Sequence, residues 1–250
     1  MLVLPSLIVL LYSILVFALQ ISYLMLTHIP YEIKYPIGLS FELFPITFPP
    51  TILELGFKIV TTEWAPDFFL FSLVFLIIDS VISPILAAVL LNETNRKKLY
   101  SPILVLQNRF KEYLKFNLLI LALSLMLYLF LFGIYYFPDF ASSLFLAYVI
   151  LYYFMVVFSM VVIFVPFLLI EENSFIQSIV LSYRLITKDI KKLIEVLVVN
   201  FGIFSTTKTF LGVLGGGHLY LTLALGLVIG PISISIYFIY LADLYMQLSR

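Results

Sequence analysis

The sequence predicts an all-α membrane protein with six transmembrane helices, two cytoplasmic amphipathic helices at the interface and a small outer β-hairpin. Three observations carry that expectation. Six apolar runs recur along the 250 residues: Met1–Leu26, Pro66–Leu91, Leu114–Phe137, Ala141–Ile170, Leu193–Leu214 and Leu219–Tyr245. Each meets or exceeds the ~20 residues a helix needs to cross the hydrocarbon of a bilayer. The composition is 63% hydrophobic and 11% charged, with a mean hydropathy of +1.16, too little polar surface for a water-soluble fold of this length. Finally, the basic residues fall almost entirely into alternate connections.

The first run, Met1–Leu26, is too long for a signal-peptide core and holds no Lys or Arg, so it reads as a retained first helix. The connection Thr27–Ala65 follows. Within it Ile37, Leu39, Phe41 and Leu43 alternate with small or polar residues, as do Leu53, Leu55, Phe57 and Ile59, around the breaker-rich PITFPPT. That pattern predicts an extended pair on the outer surface, or else a re-entrant segment around Pro45–Pro50 shielded by protein. After the second run, Ser101 can cap a helix that has Pro102 at its first position. Ile103, Leu106, Phe110 and Tyr113 then recur at helical spacing, giving a first amphipathic elbow over Tyr100–Phe116. The second elbow lies in EENSFIQSIVLSYRLITKDIKK. Phe175, Ile176, Ile179, Val180, Tyr183, Ile186 and Ile190 form its stripe, with acids at the start and bases at the end to match the helix dipole. Gly215–Gly217 and His218 make a turn before the last run. They lack the lysine and the strand–helix setting of a phosphate loop.

Charge orients the chain. Arg96, Lys97, Lys98, Arg109, Lys111 and Lys115 lie between runs two and three, and Arg184, Lys188, Lys191 and Lys192 between runs four and five, with Arg250 at the end. Only Lys34, Lys58 and Lys208 lie on the opposite side. The positive-inside rule therefore places both termini in the cytoplasm, as an even number of spans requires, in one multi-pass domain of the cell membrane covering 1–250. Zero net charge argues against a nucleic-acid partner. The absence of cysteine excludes disulfides, thiol catalysis, cysteine zinc sites and iron–sulfur clusters.

EENSFIQSIVLSYRLITKDIKKLI follows a helix ending in PFLLI. With the closing GPISISIYFIYLADLYMQL, it resembles segments of uncharacterised prokaryotic polytopic domains similar to the glycerophosphoryl diester phosphodiesterase membrane domain. The resemblance covers the last third to half of the chain, with Ser178 where the family has alanine. It implies a six-helix membrane domain without an established reaction. The catalytic domain that sometimes accompanies such domains is not expected within these 250 residues, and no catalytic residue carries over. An internal echo accompanies it: at one constant offset Ile103–Leu104 falls on Val180–Leu181, Lys111–Glu112 on Lys188–Asp189, and Lys115 on Lys192. This is either a duplicated helix–elbow–helix unit or a consequence of the charge rule alone.

Asp79, in LIIDSVISP, is the one carboxylate at the centre of a run. Ionised toward lipid it would cost several kcal/mol, so it should face the interior, bond Ser80 or Ser83, or carry a proton. It reads either as a proton- or cation-coupling group beside Pro84 or as structural glue. Asn200 near the middle of run five and Lys208 near its outer end complete the intramembrane polar candidates. His28 and His218 are the only histidines and are weak metal candidates at the outer boundary, with Glu63, Asp67 and Asp139 near that level. No catalytic, cofactor-binding or firm metal constellation stands out. The expected role is a non-enzymatic accessory, scaffold or assembly subunit contacting membrane lipids, a partner protein or further copies of itself. The alternative is a small transporter or permease subunit that uses Asp79.

Overall fold

The computed structural model describes residues 3–12, 14–15, 65–94, 99–137, 139, 141–171, 173–215 and 219–249. These residues are almost wholly helical, with no strand among them. The predicted outer hairpin over 28–65 falls outside them, save that Ala65 opens a helix. In chain order the helices are α1 (Val3–Tyr12), α2 (Ala65–Thr94), α3 (Pro102–Tyr136), α4 (Ala141–Val161), α5 (Val165–Ile170), α6 (Phe175–Lys188), α7 (Ile190–Gly215) and α8 (Leu219–Leu248). Among the described residues one stretch, Leu76–Thr94 of α2, is long and apolar enough to cross a membrane.

Two predicted elements are redrawn. The first elbow is not a separate helix: α3 runs through it and on through the third apolar run as one helix of 35 residues. No proline or glycine occurs after Pro102 until Gly133, and the helix runs on past that glycine to Tyr136, so the amphipathic start simply continues. The fourth apolar run is not one helix either. It breaks at the turn 162–164 between α4 and α5, because Pro166 has no N–H to give the carbonyl of Val162. That carbonyl is taken instead by the Val165 N–H at 3.0 Å, a tighter turn than an α-helix makes. Pro84, by contrast, sits inside α2 without ending it.

The broken segment is the centre of the core. Val162 to Ile170 are all buried, and α5 touches α2, α3 and α6. Phe164 and Phe167 pack their rings on Tyr245 of α8, centroids 5.9 and 5.5 Å apart. Around this centre α2 packs most extensively on α3 and also meets α8, α3 leads into α4, and α7 packs on α8.

The second elbow is a separate helix, as predicted. α6 opens with a capping box: Ser174 Oγ accepts from the Gln177 N–H, and Gln177 Oε1 accepts from the Ser174 N–H. Its docking face is not the whole apolar stripe, however. Ser178, Ser182 and Ile186 are buried, whereas Ile176, Val180 and Tyr183 are exposed. The Ser178 hydroxyl makes no hydrogen bond, so smallness is what it contributes at that contact.

Candidate functional site

The sequence singled out Asp79, and the structure builds a buried polar cluster around it. Asp79 lies on the inward face of α2, only 4% exposed, in the middle of the helix rather than at a solvated end. Its Oδ1 accepts a 2.7 Å hydrogen bond from the Tyr12 hydroxyl, which tethers α1 to α2. Of the serines beside it, Ser80 is engaged elsewhere. It donates to the Leu76 carbonyl one turn back, at 2.7 Å, and accepts from Asn117 Nδ2 of α3 at 3.1 Å. Tyr12, Asp79, Ser80, Ser83 and Asn117 are all buried, so three helices meet through polar side chains inside a largely apolar bundle. A carboxylate so placed holds either a negative charge supported by the Tyr12 O–H or a proton of its own. In both states the tyrosine bond survives.

Nothing in the sequence distinguished Tyr12 from the other sixteen tyrosines, or Asn117 from a helix-start asparagine. Tyr12 lies more than sixty residues from its partner, a separation that local patterns do not reach. The remaining sequence candidates are placed only by their backbones. Asn200 and Lys208 lie on α7, whose main packing partner is α8, and their side chains fall outside the described residues. His28 and His218 also fall outside them. Among the described residues no group of three or more His, Asp or Glu is arranged to hold a metal ion.

A second polar constellation ties the break between α4 and α5 together, and the sequence did not flag it. Ser182 of α6 donates to the Val161 carbonyl at 2.6 Å and accepts from the Phe164 N–H at 3.2 Å. One hydroxyl thus serves both backbone groups freed where α4 stops. The Tyr113 hydroxyl of α3 donates to the Pro166 carbonyl. Asn173 donates to the Leu168 carbonyl at 3.0 Å, finishing α5. Glu112 of α3 reaches across to the start of α6 and accepts from the Phe175 N–H at 2.9 Å, while also binding Lys115 Nζ at 2.6 Å. The lysine bond chiefly holds the Glu112 carboxyl below the ordinary glutamate range; partial burial opposes it and the Phe175 N–H adds to it. Asn92 closes the basic connection between α2 and α3, exchanging two 2.7 Å hydrogen bonds with the backbone of Tyr100.

No protein-family model, no curated protein and no solved structure matches the chain.

Proposed function

We propose that the chain is a six-span integral membrane protein with both ends cytoplasmic, acting as a non-enzymatic accessory, scaffold or assembly subunit. The membrane reading is supported by large apolar side chains left uncovered along several helices. On α4 alone Phe145, Leu146, Ile150, Phe154 and Val157 are exposed, a surface that water would not tolerate but acyl chains would. The resemblance to polytopic domains without an established reaction points the same way.

The scaffold reading rests on one observation above all: Asp79 is bonded across the helix interface to Tyr12 and withdrawn from solvent. The polar groups at the inner end are similarly engaged with broken backbone, which is how side chains hold a bundle in register. A transport reading draws on the same pair, since a buried carboxylate between two helices is also how a proton-coupled carrier would begin. Asp79→Asn keeps an oxygen for the Tyr12 hydroxyl but removes the titratable charge. In reconstituted vesicles the scaffold reading expects native and variant to show the same absence of proton or solute flux. It also expects cysteines placed around Asp79 in this cysteine-free chain to resist water-soluble reagents. Flux that the substitution abolishes, together with labelling from water, would give the site to transport. Resistance of the protein to alkaline extraction from membranes tests the integral-membrane reading separately, and the reach of water-soluble reagents from each side to cysteines placed in successive connections tests the six spans.

A further inference from the structure

We infer that α6 is a docking helix for anionic phospholipid: Ile176, Val180 and Tyr183 enter the acyl region of the inner leaflet while Arg184 and Lys188 hold headgroup phosphates. The inference deepens the membrane reading above and depends on it.

The argument begins from the roll of the helix. Residues advance by roughly 100° around an α-helix, so Ser178, Ser182 and Ile186 share one face of α6, and that face is buried. Its orientation is pinned at several points, by the two Ser182 bonds to the 161–164 break and by the Glu112 carboxylate at the first N–H. Ile176, Val180 and Tyr183 consequently cannot turn inward. Ile176 is 71% exposed, beyond anything a satisfied core position shows, and the other two are exposed with it. Next around the cylinder come Gln177, Arg184 and Lys188, also exposed, so an apolar stripe runs directly beside a basic one. Lys188 makes a 3.3 Å bond to the Leu248 carbonyl, which holds its ammonium at the inner end of α8 without neutralising it.

An apolar stripe alone would fit a protein partner as well as a membrane. Two features favour lipid. The exposed side of α6 carries bases and no acid, which complements a phosphate-bearing leaflet. In addition, α6 packs against α4, whose exposed Phe154 and Val157 already form an apolar surface leading to it. Tyr183, with an apolar ring and a polar tip, suits the boundary between the two regions.

The test uses the full chain in nanodiscs of neutral or anionic phospholipid. Cysteines at Ile176 or Val180, both exposed and therefore tolerant of change, carry an environment-sensitive fluorophore read with lipid-borne quenchers. A third cysteine at Ile77, exposed on α2, reports whether the chain is in the bilayer at all. The inference expects quenching at 176, 180 and 77. It also expects co-purifying anionic lipid to fall about fivefold for each base removed in Arg184→Gln and Lys188→Gln, with the preference weakening in salt. Quenching at 77 without quenching at 176 and 180 overturns the docking helix and leaves the membrane reading intact, with a protein partner as the occupant. Quenching at all three sites with lipid retention unchanged by either substitution overturns the headgroup role. No quenching anywhere removes the membrane reading itself.

Discussion

The two elbows carry the same pattern of residues and fold differently. Lys111–Glu112 and Lys115 in the first stand where Lys188–Asp189 and Lys192 stand in the second. In the first the helix runs on, so α3 joins elbow and apolar run without a break. In the second the chain leaves the helix at Asp189, in extended backbone with φ −144° and ψ 89°, and starts again as α7. The acid at the shared position decides what happens next. Asp189 is short, so its Oδ1 turns onto its own chain and accepts from the Lys191 and Lys192 N–H groups at 3.1 and 3.4 Å, an N-cap for α7. Glu112 is longer by one methylene and remains helical. Its carboxylate is therefore delivered to the other elbow, where it accepts the first N–H of α6. One acid restarts its own helix; its counterpart starts the neighbour's. The difference teaches that similar local sequence acquires different roles once a broken backbone elsewhere needs donors and acceptors.

The sharpest way to break the comparison is to give the second elbow the first elbow's residue at its docking face. At the constant offset, Ser182 stands where Val105 stands, and both are buried. Val105 is an apolar member of the buried core, but Ser182 serves two backbone groups at the 162–164 turn. Ser182→Val strands the Val161 carbonyl and Phe164 N–H but also adds bulk at a fully buried position, so Ser182→Ala, which removes the hydroxyl without adding volume, isolates the hydrogen-bonding loss. About 2–6 kcal/mol of destabilisation is expected, at ~1–3 kcal/mol for each of the two unsatisfied groups. Unfolding in mixed micelles, followed by helical circular dichroism, would measure it. The reciprocal Val105→Ser should lose less, because a helical serine can bond the carbonyl one turn back. Equal losses would show that the break does not rely on Ser182.

The next largest effect belongs to the shared acids. Asp189→Ala removes a cap and should lower stability by about 1 kcal/mol, within the ~0.5–2 kcal/mol span of such losses. Glu112→Asp should act similarly, since the shortened side chain no longer reaches Phe175. If Glu112→Asp is neutral while Asp189→Ala is not, the cross-elbow cap is an onlooker. Acid provides a second readout. Because the folded protein holds the Glu112 carboxyl below its ordinary value, this group contributes stability at neutral pH, above the unfolded pKa. That contribution disappears as pH falls through the lowered folded value. Glu112→Gln should therefore differ from native most near neutrality and converge with it in acid.

How much of this was legible in the sequence follows from the range of each interaction. The helices, the second elbow as a helix and the interior placement of Asp79 depend on local pattern or on the solvation of one side chain, and all three could be read, whereas the Ser174–Gln177 capping box that starts α6 went unread. The break before Pro166 was signalled by the proline itself, but the long apolar run around it argued for one span. The continuity of α3 was missed for the opposite reason. Two differently patterned stretches suggest two helices, although only a breaker residue or a competing cap separates them physically, and neither occurs between Pro102 and Phe116. The partners of Asp79 and Glu112 were out of reach altogether. Tyr12 and the Phe175 N–H are brought in by packing, and neither has any marking of its own.

The smallest effect sharpens the comparison from the other side. The lysines at equivalent positions, Lys115 and Lys192, each pair with an acid three residues away, at 2.6 and 2.9 Å, but in opposite directions along the chain. Lys115 reaches back to Glu112, which is half-buried and committed to α6. Lys192 reaches forward to Glu195, on an exposed surface where both side chains stay solvated. The hydrogen bond to Glu195 raises the Lys192 pKa, yet an exposed pair held by two flexible side chains gains little that water and salt do not return. Lys192→Gln should consequently leave the unfolding transition where it is, at low and high salt alike. Lys115→Gln should lower it and make the loss salt-dependent, because the Glu112 carboxylate would then cap α6 without its counter-charge. If both substitutions act equally, coupling to the α6 cap is not what separates the two elbows, and the difference between them reduces to where the helix breaks.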